Sequence, residues 1–193
     1  MALEALLAEV RACRLCEAHL PLGPRPVLRA DHAARLLIVG QAPGTRVHAS
    51  GVPWNDRSGE RLRLWLDLSP ARFYDGTKVA IVPIGFCYPG RDAHGGDLPP
   101  RPECAPQWHE RLLAAMDGIG LTLLVGGHAQ AYYLKNRRKV SVTETVRAWE
   151  TYPPRFLPLP HPSWRTTGWE KRNPWFAEQL LPDLRRRVAE VMR

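Results

Sequence analysis

The sequence predicts an α/β fold, a three-layer α/β/α sandwich around a mostly parallel sheet. Two observations carry that expectation. Short apolar runs at residues 36–39 (LLIV), 78–84 (KVAIVPI), 121–125 (LTLLV) and 156–159 (FLPL) read as strands. Runs this continuous suit strands buried on both faces of a parallel sheet. Segments of helical spacing alternate with them, and that alternation implies parallel pairing with helices on both sides. With 193 residues, 45% of them hydrophobic, the chain can bury one substantial core, so residues 1–193 are expected to form one domain.

Leu3, Leu6, Leu7 and Val10 recur at i, i+3, i+4 and i+7, the mark of a helix with one buried stripe. It runs into Cys13 and Cys16, followed by PLGPRPV, whose prolines make it an extended connector. The first strand then stops at Gly40. Pro43 and Gly44 impose a loop whose backbone can approach a ligand closely, because glycine carries no Cβ. Ligands in open α/β sheets bind beyond the carboxyl ends of strands, so GQAPG is where chemistry is expected.

Residues 58–66 return to helical spacing, with Asp56 or Ser58 as the cap. The second strand carries Pro83 at its carboxyl end, where a missing N–H is tolerable. Residues 85–102 form a long Gly- and Pro-rich stretch, and an irregular segment of that length inside a compact domain suggests a binding loop. A helix is expected at 103–116, a second at 128–134 after Gly126 and Gly127, and a third at 143–149. The basic run at 135–139 reads as a solvated turn. The last strand ends in Pro160, His161, Pro162 and Ser163, and a final helix from about Trp175 carries a stripe of Phe176, Leu180, Leu184 and Val188.

A formal charge of +8 and a pI near 9.8 favour a polyanionic partner, since cations that neutralise phosphates release counterions. No apolar run is long enough to cross a bilayer, and the first residues carry acidic side chains and periodic leucines instead of a signal-peptide core. A cytoplasmic location away from membranes is expected, and with it reduced thiols. Cys13 and Cys16 form a C-x-x-C pair, Cys87 follows the second strand and Cys104 opens the next helix. Four thiolates in a reducing compartment suit an iron–sulfur cluster or a structural zinc, and spacing does not separate the two.

Taken together, the loop GQAPG, the segment GVPWNDRSG, the four cysteines and the late HPS tripeptide resemble the uracil-DNA glycosylase superfamily, especially its iron–sulfur families 4 and 5. The resemblance covers nearly the whole chain in the same order. It implies a four-stranded parallel sheet, a [4Fe–4S] cluster on Cys13, Cys16, Cys87 and Cys104 with zinc as the alternative, and excision of uracil or a related deaminated base from DNA. A monomer is expected. By the same resemblance, His161 stabilises the departing base, Asp56 assists at the sugar, and Trp54 stacks on the base. Gln41, Ala42, Pro43 and Gly44 line the base pocket, and Ser163, Trp164 and Arg165 form a wedge loop against DNA. Such a division of labour fits the reaction. Breaking the glycosidic bond puts negative charge on the base and oxocarbenium character on the sugar, which calls for a hydrogen-bond donor and a carboxylate.

The chain also departs from the family pattern. Ala42 stands where many members carry Asp or Asn, and Gln41 where family 4 carries Glu. Pro83 replaces an asparagine that reads the uracil edge. Base reading would then fall to main-chain groups at Ile84 and Gly85, or the preferred base would be hypoxanthine, xanthine or another lesion. These replacements also admit a second reading, a lesion- or single-strand-binding protein of the same fold with little or no turnover. His48 lies in the insert between GQAPG and GVPW and is expected as an exposed loop histidine.

Overall fold

The computed structural model describes residues 3–193. Its sheet consists of β1 (Leu36–Val39), β2 (Val79–Ile81), β3 (Leu121–Val125) and β4 (Phe156–Leu159). All neighbours are parallel and the order is β2-β1-β3-β4. The helices in chain order are α1 (Leu3–Arg11), α2 (Thr45–Ser50), α3 (Arg57–Leu66), α4 (Pro70–Phe73), α5 (Cys104–Ala114), α6 (Gly127–Leu134), α7 (Val142–Arg147), α8 (Thr166–Arg172) and α9 (Leu181–Val191).

Successive side chains of a strand point to opposite faces. Leu36 and Ile38 therefore enter one core with α3 and α9, while Leu37 and Val39 enter another with α1, α5 and α6. Helix, sheet and helix make the three layers that the sequence predicts. Pro158 sits in β4, which pairs only with β3, so its missing N–H leaves no ladder bond unmade.

The second strand is shorter than the apolar run suggests. It ends at Ile81, although Val82, Ile84 and Gly85 still donate to the carbonyls of Ile38, Gly40 and Gln41 at 3.0, 3.0 and 2.9 Å, so Pro83 interrupts no bond to β1. The connector after α1 runs along the open edge of β2. Arg29 bridges Ile81 in antiparallel fashion and Val27 donates to Phe86 at 2.7 Å, which pairs an edge otherwise open to other chains.

Helices α2, α4 and α8 have no counterpart in the sequence expectation, since each is too short to show a hydrophobic period. The terminal helix is interrupted: a π-helical turn at Phe176–Leu180 precedes α9, whose Pro182 in the first turn cannot supply an i→i−4 bond. No helix among the described residues is long and apolar enough to cross a membrane. The chain passes from β1 outward to β2 and then to β3 on the other side, so a crevice opens at the carboxyl ends of β1 and β3.

Candidate active site

That crevice holds a pocket walled by the loop after β1 (Gln41, Ala42, Pro43, Gly44), by Trp54 and Asp56 before α3, and by His161 after β4. Pro83 contributes from the segment after β2. The pocket thus draws on loops that follow three of the four strands.

Trp54 adopts a left-handed backbone at φ 58°, a conformation that costs an ordinary side chain energy and persists only where its surroundings fix it. Those surroundings are specific. A Cβ on Gly40 would come within 2.8 Å of Trp54 Cζ2, and one on Gly59 within 1.8 Å of the Trp54 carbonyl oxygen. Tyr74 donates its hydroxyl to that carbonyl at 3.2 Å, and Arg63 donates in turn to Tyr74 at 3.2 Å. The half-buried indole packs on the core and faces His161, the ring centroids 5.8 Å apart and the planes inclined by 33°.

The His161 backbone is fixed by its own carbonyl, which accepts from the Ser163 amide at 2.8 Å and from the Thr166 hydroxyl. Burial holds the imidazole below its ordinary pKa, partly offset by the negative charges of Asp56 and Asp97. It is therefore a neutral imidazole at pH 7, with one N–H to donate. Asp56 caps α3 by accepting from the Gly59 amide at 2.8 Å, and it lines the pocket at the same time.

Asp97 is a carboxylate that sequence reasoning did not single out. It stands on the long segment after β2, which is ordered as a small hairpin over the pocket. Arg91 bridges Asp97, and Asp92 Oδ1 accepts the amides of His94 and Gly96 at 2.8 and 2.9 Å. Leu98 donates to the Gly90 carbonyl at 3.0 Å, and Gln41 Nε2 donates to the Leu98 carbonyl at 3.3 Å. The available signal was an isolated acid after two glycines in a segment already suspected of binding. Sequence alone could not show that the segment folds back over the first loop.

Outside the pocket lies a wider groove lined by Arg91, Asp97, His161, Ser163, Trp164 and Arg165 among others. Trp164 is 77% exposed, with the Arg165 guanidinium 5.3 Å from its ring centroid. An exposed indole beside a cation is suited to stacking on bases.

Two expected pocket residues lie elsewhere. Ile84 is buried in the core and its amide is spent on Gly40, while the Gly85 amide is spent on Gln41 and the residue faces a separate cavity. Neither amide is free to read a base. His48 is not in an exposed loop either: it sits half-buried on α2, tilted toward Tyr88, with burial and Arg25 holding its pKa low.

The model of the uracil DNA glycosylase superfamily matches residues 28–185 of this chain. The chain belongs to that superfamily. Its members are generally DNA glycosylases, hydrolases of the N-glycosidic bond, and the fold implies DNA binding. The match begins after Cys13 and Cys16.

In this superfamily member all four cysteines line one cavity, next to the pocket and separated from it at Gly85. Cys104 accepts the Phe86 amide at 3.4 Å, and Cys16 lies 3.8 Å from Glu103. Burial pushes the Cys87 thiol up to about 11 and the Cys104 thiol up to about 12. Both are protonated at pH 7 unless a cation compensates the thiolates. Among the described residues, no group of three or more His, Cys, Asp or Glu is arranged to hold a metal ion. A zinc tetrahedron would draw its thiolates to about 4 Å from one another, given Zn–S bonds of about 2.3 Å.

Proposed function

We propose that the protein is a monofunctional DNA glycosylase that flips uracil or a related deaminated base out of DNA and hydrolyses its glycosidic bond. The observation that supports this most is the pocket itself. A neutral imidazole, an indole and two carboxylates meet in a crevice that opens into a groove edged by an exposed tryptophan. A base entering the pocket lies against Trp54, and the His161 N–H meets the negative charge that develops on it as the bond breaks. Trp164 and Arg165 fill the gap left in the duplex. The carboxylate task falls to the acids at the site, Asp56 and Asp97.

Base choice departs from the uracil pattern. Pro83 has no side-chain donor, and its carbonyl is already engaged by His109 at 2.9 Å. The polar groups left to read the base edge include Gln41, Ser58 and the carboxylates, a set that admits hypoxanthine or xanthine as readily as uracil.

The four cysteines share one cavity, and by the resemblance to the iron–sulfur families they are assigned a [4Fe–4S] cluster, with zinc as the alternative. Cys13, Cys16, Cys87 and Cys104 would hold it, and its contribution is to fasten the segment after α1 to the segment after β2 and to the start of α5. Its role is structural.

Incubation with end-labelled duplexes containing uracil, hypoxanthine or xanthine, followed by alkali, tests the reading. Strand cleavage at one or more of these bases is expected. No abasic product from any of them, with tight binding to a lesion retained, would replace the enzyme with the lesion-binding protein of the same fold.

A further inference from the structure

Two carboxylates reach the site, and they differ in depth. Asp56 lines the inner pocket alone, and its Oδ1 is held by the Gly59 amide. Asp97 lines both the inner pocket and the outer groove. A flipped nucleotide places its base in the pocket and leaves its phosphates in the groove, so the bond between base and sugar lies where the two spaces join. The residues shared by both spaces are Gln41, Ala42, Pro43, Ser58, Asp97 and His161. Among them Asp97 is the one carboxylate and His161 the one imidazole.

We propose that Asp97 is the catalytic carboxylate at the sugar, a role that rests on the glycosylase reading above. Its placement complements what the first loop lacks. Ala42 gives that loop no acid, and the hairpin brings Asp97 against the same wall: Oδ2 lies 3.8 Å from where a Cβ on Gly44 would stand. Hydrogen bonds within the hairpin and to the first loop place it there. Asp92 closes the turn, and Gln41 ties the strand after Asp97 to the loop it faces. Arg91 Nε lies 3.7 Å from Asp97 Oδ1, a half-exposed pairing that leaves the second oxygen open.

In the step, a water oxygen attached to C1′ replaces the base nitrogen. The C1′–N electron pair leaves with the base, where the His161 N–H meets it, and Asp97 takes the proton that the water gives up. That proton returns through solvent to the base. One water is consumed, and a free base and an abasic sugar are formed.

Asp97→Asn keeps the shape of the side chain and removes its charge. In single-turnover excision with enzyme in excess, it should lose about 100-fold or more in rate, the scale of a positioned general base. DNA affinity should be unchanged or tighter and the melting temperature unchanged, which a merely structural role would not produce. Asp97→Glu should recover part of the rate. If the wild-type protein cleaves a base and Asp97→Asn cleaves it within threefold of that rate, Asp97 is not the carboxylate and the glycosylase reading stands. If the wild-type protein cleaves none of the three bases, the glycosylase reading fails and this assignment with it.

Discussion

His109 Nε2 donates to the carbonyl of Pro83 at 2.9 Å, while its Nδ1 lies 2.7 Å from the Tyr133 hydroxyl. The ring is 1% exposed and stacks near Phe86, so α5 holds the floor of the pocket from behind. A carbonyl can only accept, so Nε2 carries the proton and Nδ1 accepts from Tyr133. The imidazole is neutral, and burial draws its pKa down to about 4.

This network predicts a pH dependence of stability. Between the unfolded value of 6.5 and about 4, the unfolded chain binds the proton that the folded chain refuses. Stability is therefore full above about pH 6.5 and declines as pH falls toward 4, by about 3 kcal/mol in total. Urea midpoints measured from pH 7 to pH 4 should show this decline. In His109→Gln, less stable at pH 7, the decline should be shallower; a wild-type profile flat over that range would overturn the assignment of a neutral buried ring.

Asp56 carries a separable structural task. Asn caps a helix about as well as Asp, whereas Ala does not. Asp56→Ala should therefore cost about 1 kcal/mol in denaturant unfolding, and Asp56→Asn close to nothing. Equal loss from both would mean that the charge, and not the accepted Gly59 hydrogen bond, stabilises the start of α3.

How far the sequence was legible follows from the range of the forces involved. The strands, the amphipathic α1 and the capped α3 rest on local periodicity, so each was visible in the chain itself. Trp54, Asp56 and His161 were found through their motifs, and the fold brings them to one pocket. Three things depended on contacts distant in sequence and were missed. Asp97 enters the site on a segment that folds back to the first loop, where Gln41 bonds Leu98, 57 residues away. Ile84 and Gly85 look free until their amides are followed to Gly40 and Gln41. His109 reads as one more residue of a helix until its bond to Pro83 is seen, 26 residues back.

Trp164 offers a test of the duplex contact. Its ring is largely in solvent, so truncation should leave the fold intact. Trp164→Ala should weaken binding to a lesion duplex by about 1–3 kcal/mol, the range for a base stacked on an aromatic ring. The salt dependence should not change, because no charge is lost, whereas Arg165→Ala should reduce the salt slope by about one phosphate contact. A Trp164→Ala protein that binds and excises like wild type would place the wedge elsewhere.

The cysteine cavity distinguishes its two possible occupants by composition and by dependence. Protein purified without oxygen should contain iron and acid-labile sulfide and absorb broadly in the visible, as thiolate-bound clusters do; zinc alone, without colour, would overturn the cluster. Cys87 and Cys104 carry thiols whose pKa lies far above neutrality, so each ligand must lose a proton to a cation on binding. Cys87→Ser should lose the colour and the iron together. Because the cavity joins the segment after α1 to α5, loss of the occupant should loosen that joint first. Hydrogen exchange should therefore rise in α1 and in residues 13–27 before it rises in β1 or β3, whose strands sit at the centre of the sheet. The pocket is built on those strands, but Gly85 stands between Ala42 and the cavity, its Cβ position 3.5 Å from the alanine. Excision should accordingly fall when the occupant is removed, even though none of the cysteines lines the pocket. Unchanged exchange in α1 and unchanged excision in a metal-free protein would show that the cavity fastens nothing.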